Sequence, residues 1–357
     1  MTRILVLPKY SEKGASSRVR TFQYLPSLER QGLHFDVLPL FADWYLDDLY
    51  SKTTTNWMRV GFAYARRLAV RNRVRSYDAV WLEKEALPWL PDWLERLCVS
   101  NRTPVVVDYD DAIFHRYDQH GSRYVRAVLG KKVDRIMRRA TAVMVGNAYL
   151  ADRARSASAR RIELIPSAVN VDRYHSRGPR QYGLPFTVGW IGTPMTAHFI
   201  KGVSNPLSRI ASMGGVRFVF VGCPPGLDLG FPYESRPWSE ATEATDIASF
   251  DCGVMPLVDE PFERGKCGYK LIQYMACGVP VVASPVGINR ELVTQGENGY
   301  LASCDSEWFE AIRNIQDRPD LAASMGERGR ALVENRYCSR VVAGRLHDLL
   351  CEVANCP

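Results

Sequence analysis

The chain has 357 residues, 46% of them hydrophobic and 24% charged. That excludes a disordered chain, exceeds one ordinary core, and is comfortable for two α/β domains. The net charge of +7 is uneven: residues 1–180 hold 31 Lys and Arg against 19 Asp and Glu, a net +12, and residues 181–357 hold the other 15 and 20, a net −5.

The opening Met-Thr-Arg-Ile-Leu-Val-Leu-Pro lacks the charged and apolar regions of a secretory signal and reads as a first β-strand, which predicts a cytoplasmic protein. No apolar run approaches the roughly 18 residues of a membrane span. Nine scattered cysteines, never spaced C-x-x-C, indicate neither a disulfide frame nor a zinc site.

Strands are predicted near residues 3–8, 34–40, 78–82, 104–108, 141–145 and 162–165. Helices are predicted near 17–31, 57–75, 85–97, 122–140 and 147–157. Short apolar strands alternating with amphipathic helices imply a doubly wound parallel sheet. After the first strand, Tyr10 to Arg18 forms a loop carrying Gly14, Ser16, Ser17 and Arg18. Such a loop either exposes backbone N–H groups to phosphate or simply caps the helix that follows. The fourth strand ends in Asp108, Asp110 and Asp111, with His115 beyond. Carboxylates at a strand's carboxyl end belong to binding sites more often than to cores, because unpaired buried charge is costly.

Residues 166–185 carry three Pro and two Gly with little periodicity and read as a linker centred on 171–185. The pattern then restarts. Strands are predicted at 186–191, 216–221, 251–255 and 279–283, helices at 196–213 and 268–277, and helical structure from about 305. The loop after the first of these strands offers Thr193, Thr196 and His198, with Thr196 equally readable as a plain helix cap. The densest signal is Glu263 to Glu291. A helix beginning near Gly268 aims its unpaired N–H groups at whatever precedes it, Lys266 and Lys270 add positive charge there, and Gln273 shares a face with Lys270.

This stretch resembles the donor-binding signature of family-4 retaining glycosyltransferases with the GT-B fold, and more closely a bacterial subgroup devoted to surface polysaccharides, including lipopolysaccharide and exopolysaccharide. Gly268 sits where the Gly of the family's Phe-Gly pair belongs. Gln273 sits where a ribose-binding Glu belongs, and Gly265 occupies the position of the first Glu, with Glu263 two residues earlier. The resemblance implies two Rossmann-like domains facing across a cleft. Residues 1–170 would bind the acceptor, 171–185 would link, 186–336 would bind the nucleotide sugar, and a closing helix over 337–357 could cross back to the first domain.

It further implies that Asp110, Asp111 and Lys270 act in catalysis and that Gly14, Ser17, Arg18, Thr193, Thr196, Glu263, Lys266, Gly268 and Gln273 bind the donor. No cofactor is implied beyond the nucleotide-diphosphate sugar itself. The Asp-x-Asp-Asp spacing could also hold a divalent cation, but GT-B enzymes meet the leaving diphosphate with protein groups, so no metal is expected.

Two basic stretches, one with Arg66 and Arg67 and one with Arg126, Lys131, Lys132 and Arg135, predict a face for an acceptor or an anionic inner-membrane surface. No nucleic-acid module accompanies the charge. The alternatives are a GT-B epimerase or phosphorylase and a non-catalytic sugar-nucleotide-binding scaffold, the latter kept open by the missing paired glutamates.

Overall fold

The computed structural model describes residues 2–50, 54, 56–99, 102–178 and 183–355. Residues 179–182 of the expected linker lie outside them. The chain divides into two compact units. The first comprises Met1–Ser167, Gly265–Cys267 and Ser339–Pro357, and the second Ala168–Arg264 and Gly268–Cys338.

The first unit is built on β1 (Thr2–Leu7), β2 (Leu33–Val37), β3 (Ala79–Glu83), β4 (Val105–Tyr109), β5 (Ala142–Val145) and β6 (Ile162–Leu164), in the order β2-β1-β3-β4-β5-β6. Every pairing is parallel, with Ile4 opposite Ala79 and Val80 opposite Val105. β3 and β5 are buried along their whole length, which is why they read as unbroken apolar runs. The helix Ser339–Ala354 packs on β1, β3 and β4 and buries Val342, Leu346, Leu349, Leu350 and Val353. Each such side chain contributes about 1.5–3 kcal/mol, so this late segment is part of the first unit's core.

The second unit is built on β7 (Phe186–Ile191), β8 (Val216–Val221), β9 (Glu234–Arg236), β10 (Cys252–Met255), β11 (Val281–Ala283) and β12 (Gly299–Leu301), ordered β12-β11-β10-β7-β8-β9 and again wholly parallel. Strand order reverses between β1 and β3 in the first sheet and between β7 and β10 in the second. Ligands of doubly wound sheets bind beyond the carboxyl ends of the strands at such reversals.

Three expectations differ from the structure. The described part of the linker is not a tether: Val169, Val171 and Tyr174 are buried in the second unit's core, and Arg330 donates to the Tyr174 carbonyl at 2.7 Å. Its Pro and Gly mark irregular backbone, not freedom. The basic helix over 122–140 is two helices, Arg123–Leu129 and Lys132–Arg139, parted at Gly130, where any Cβ would strike the Arg126 carbonyl oxygen. The helix placed at 85–97 begins only at Asp92.

Candidate active site

In the first unit the reversal between β1 and β3 gathers a charged network. Lys84 follows β3 directly, buried, with a left-handed φ of 61° that a side chain adopts only under constraint. Its ammonium lies 2.7 Å from Asp110 and 3.6 Å from Asp111 and donates to Ser16 Oγ at 2.9 Å. The Ser16 hydroxyl in turn donates to Asp110. Burial pushes the Asp110 carboxyl up, but Lys84 and Arg20 more than offset this and hold it at about 2. The same carboxylates keep Lys84 charged against its own desolvation. Asp110 and Asp111 thus follow the carboxyl end of β4 and are balanced there by a lysine.

The first loop is fixed by the end of β3. Ser17 Oγ donates to Glu83 at 2.6 Å and accepts from the Tyr10 amide, while the Lys9 amide donates to the same Glu83 oxygen at 3.1 Å. Ser17 is fully buried in this role. Burial raises the Glu83 pKa, with Lys84 opposing. Gly14 is a glycine because a Cβ would stand 2.5 Å from that of Tyr10. Arg18 is half-buried beside it. Beneath, Arg20 clamps Asp108 at 2.9 and 2.5 Å and donates to the Ile165 carbonyl at 2.8 Å. His115 is engaged on both ring nitrogens, by Asp118 and Tyr149.

Residues 265–267 pack on the turn after β4. A Cβ on Gly265 would lie 2.5 Å from that of Ala112, Cys267 Sγ donates to the Asp110 carbonyl at 3.1 Å, and Asn147 donates to the Lys266 carbonyl at 2.9 Å. Lys266 therefore belongs with the carboxylates of the first unit, although the sequence groups it with Lys270.

In the second unit Lys270 lies in the first turn of the helix Tyr269–Ala276, its ammonium 5.0 Å from the centroid of the buried Trp190 ring. Gly192 follows β7 here, and a Cβ on it would stand 2.4 Å from the Trp190 ring and 2.9 Å from Lys270 Cε. Lys270 is thereby held against the loop beyond β7. Thr193 and Thr196 form that loop's own turn, the Thr196 hydroxyl donating to the Thr193 carbonyl and accepting its amide. Gly268 caps the helix with φ 65° and leaves no room for a Cβ, which would meet Leu292 at 2.3 Å. Its glycine is required by backbone and packing.

Gln273 is buried. Its amide nitrogen donates to Tyr174 Oη at 3.0 Å, and Tyr174 and Trp238 both donate to Glu243. Glu263 is half-exposed on the short helix Pro261–Arg264.

The basic residues separate into two kinds. Lys132 is fully buried between Glu85 at 2.7 Å and Glu95 at 3.0 Å, and buried Arg67 donates to the Pro8 and Leu38 carbonyls. Neither can face a membrane or an acceptor, since each is committed to partners distant in sequence. Arg135 is paired with Asp92 at 2.7 Å. Arg66, Arg126 and Lys131 remain exposed.

Lys84 is the main residue the sequence reading missed. The signal was present: Glu83-Lys84-Glu85 directly ends a buried apolar strand. Among the described residues no cluster of His, Cys, Asp and Glu is arranged to hold a metal ion, and no helix is long and apolar enough to cross a membrane.

Residues 199–317 match the family described as Glycosyl transferases group 1, about a third of the chain. Apart from 265–267, the matched residues lie in the second unit, and the two parallel six-stranded sheets are those of the GT-B fold. A stretch of 93 residues is 31% identical to the N-acetyl-alpha-D-glucosaminyl L-malate synthase of Bacillus anthracis, covering 26% of this chain and 24% of that protein. The matched stretch thus spans about a quarter of that curated relative. Over almost the whole chain the fold is similar to two solved structures. Sucrose-phosphate synthase of Thermosynechococcus elongatus aligns with TM-score 0.74 and 16% identity, covering 99% of both chains. Anabaena HepE in complex with UDP and glucose aligns with TM-score 0.72 and 18% identity, covering 99% of this chain and 100% of that one. At these identities the likeness is one of fold.

Proposed function

We propose that the chain is a retaining glycosyltransferase of cell-surface polysaccharide synthesis, moving a sugar from a nucleotide-diphosphate donor to a lipid-linked or growing glycan. The observation that carries this reading is Lys270, braced on Trp190 at the carboxyl end of β7, where the second sheet reverses its order. A fixed cation beside the first turn of a helix suits a leaving diphosphate, whose charge grows as the anomeric C–O bond breaks. The acceptor hydroxyl attacks from the same face, and its proton passes to the departing phosphate oxygen. The second unit holds the donor, with the N–H groups after Gly268 assisting. The first unit presents the acceptor, with Asp110 and Asp111 accepting hydrogen bonds from its hydroxyls. The UDP and glucose of the HepE complex make UDP-sugars the first donors to test.

The same reading places the enzyme peripherally on the cytoplasmic face of the membrane. In support, Trp57, Met58 and Phe62 stand exposed on the helix Trp57–Ala69, and Trp93 and Leu97 on the neighbouring helix Asp92–Cys98, with Arg66 close in sequence. Such a mixture of aromatic and cationic side chains suits a lipid interface.

A thermal-shift panel of UDP-, GDP-, ADP- and CMP-sugars tests the donor class, because a ligand bound only by the folded state raises the melting temperature. Lys270→Ala should retain the wild-type fold and lose transfer. Wild-type turnover in that variant would remove the phosphate assignment, and conversion of donor without acceptor would point to an epimerase.

A further inference from the structure

We propose that a cavity at the amino-terminal edge of the first sheet binds a phosphate-bearing anion. The cavity, of about 240 Å³, lies where the chain enters β4, β5 and β6. Four arginines from four separate segments line it. Arg96 comes from the helix Asp92–Cys98, Arg102 precedes β4, Arg139 ends the helix Lys132–Arg139, and Arg160 precedes β6. Guanidinium groups present planar, bidentate donors matched to phosphate oxygens.

The lining carries one carboxylate, that of Glu95, and it is committed elsewhere. It lies 3.0 Å from Lys132 and accepts the Ala86 and Leu87 amides. At the rim, Asp92 is shared by Arg139 at 2.8 Å, Arg135 at 2.7 Å and Arg96 at 4.0 Å, so one negative charge meets three positive ones. Leu82 and Ile136 supply an apolar floor.

Size separates this cavity from a nucleotide-sugar site, and position from the turn bearing Asp110. Drug-sized ligands occupy roughly 300–1,000 Å³, so the space suits a phosphate or diphosphate with a short organic group, not a whole nucleotide sugar. β4 runs from the cavity at Val105 to the turn bearing Asp110, a span of about 17 Å at 3.3 Å per residue. The ligand is either a free phosphate ester or the headgroup of an anionic lipid, both read by the same guanidiniums.

The test titrates inorganic pyrophosphate and glycerol 3-phosphate calorimetrically into the full chain, into Lys270→Ala, and into the double variant Arg102→Ala/Arg160→Ala, whose side chains are exposed enough to leave the fold intact. A parallel arm sediments each protein with phosphatidylcholine vesicles, with and without phosphatidylglycerol. Binding that survives Lys270→Ala and weakens by roughly tenfold or more in the double variant supports a soluble ligand. Charge-dependent vesicle binding that is lost in the double variant but kept in Trp57→Ser/Phe62→Ser supports a lipid headgroup. Absence of both, or binding indifferent to Arg102 and Arg160, overturns the proposal.

Discussion

The two sheets reverse strand order at comparable places and furnish them oppositely. Beyond β1 and β3 the first unit sets a buried lysine among Asp110, Asp111 and Ser16, over a second buried pair of Arg20 and Asp108. Beyond β7 the second unit sets a bare glycine, two threonines occupied with each other, and one lysine resting on an indole. The first arrangement carries its own counter-charges and is stiff. The second presents a cation braced by packing. The two reversals thus differ in what holds their lysine: ion pairs in the first unit, packing against an aromatic ring in the second.

The comparison breaks most visibly if Lys84 is replaced. Lys84→Met leaves Asp110 and Asp111 without their closest cation and should cost about 3–5 kcal/mol, the usual penalty for orphaning a buried charge. Urea unfolding measures it, and a loss below about 1 kcal/mol would mean that the network is solvated and loose. Lys270→Ala should do the reverse, lowering kcat by about 10²–10³-fold with little change in stability. A stability defect in one unit should thus stand against a rate defect in the other.

Acid provides the next largest effect. Asp110 titrates near 2 in the folded protein, below the ordinary 3.8. Its contribution to stability is therefore complete above about pH 4 and disappears as the pH falls toward 2, on the order of 2 kcal/mol. In Asp110→Asn that acid-dependent step should be missing from melting temperatures recorded across pH 2–5. The smallest effect concerns Gly192→Ala. The added methyl presses on Trp190 and Lys270 Cε, so KM for the donor should rise about tenfold, the effect of roughly 1.4 kcal/mol, with kcat less affected. An unchanged KM would detach Lys270 from the donor.

Much of this was legible beforehand because buried parallel strands write themselves as apolar runs. Every strand of four or more residues begins within one residue of its expected place, although the strand expected over 34–40 ends at Val37, and Asp110 and Asp111 follow the end of β4. The strands Glu234–Arg236 and Gly299–Leu301 were not legible, since the first holds no apolar residue and the second opens on a glycine, unlike the equally short Val281–Ala283, which lies in an apolar run. Nor was the fate of the basic residues. Lys132 and Lys131 are neighbours of identical chemistry. One is sealed between Glu85 and Glu95, and the other is open to solvent, because the partners that decide this lie tens of residues away. Lys84 escaped for a related reason: its unusual φ and its aspartates appear only once β3 and β4 pair.

The chain's threading bears on how the protein is made. The helix Ser339–Ala354 covers strands synthesised among the first, and three residues, 265–267, complete the turn after β4. At about 5–20 residues per second, the ribosome needs on the order of 10 s after finishing β6 before that helix emerges. During that interval the apolar face of β1, β3 and β4 must wait uncovered, so the nascent first half should be a client of holding chaperones. A gene split between the two units should yield an aggregating amino-terminal fragment that is rescued when the helix is supplied.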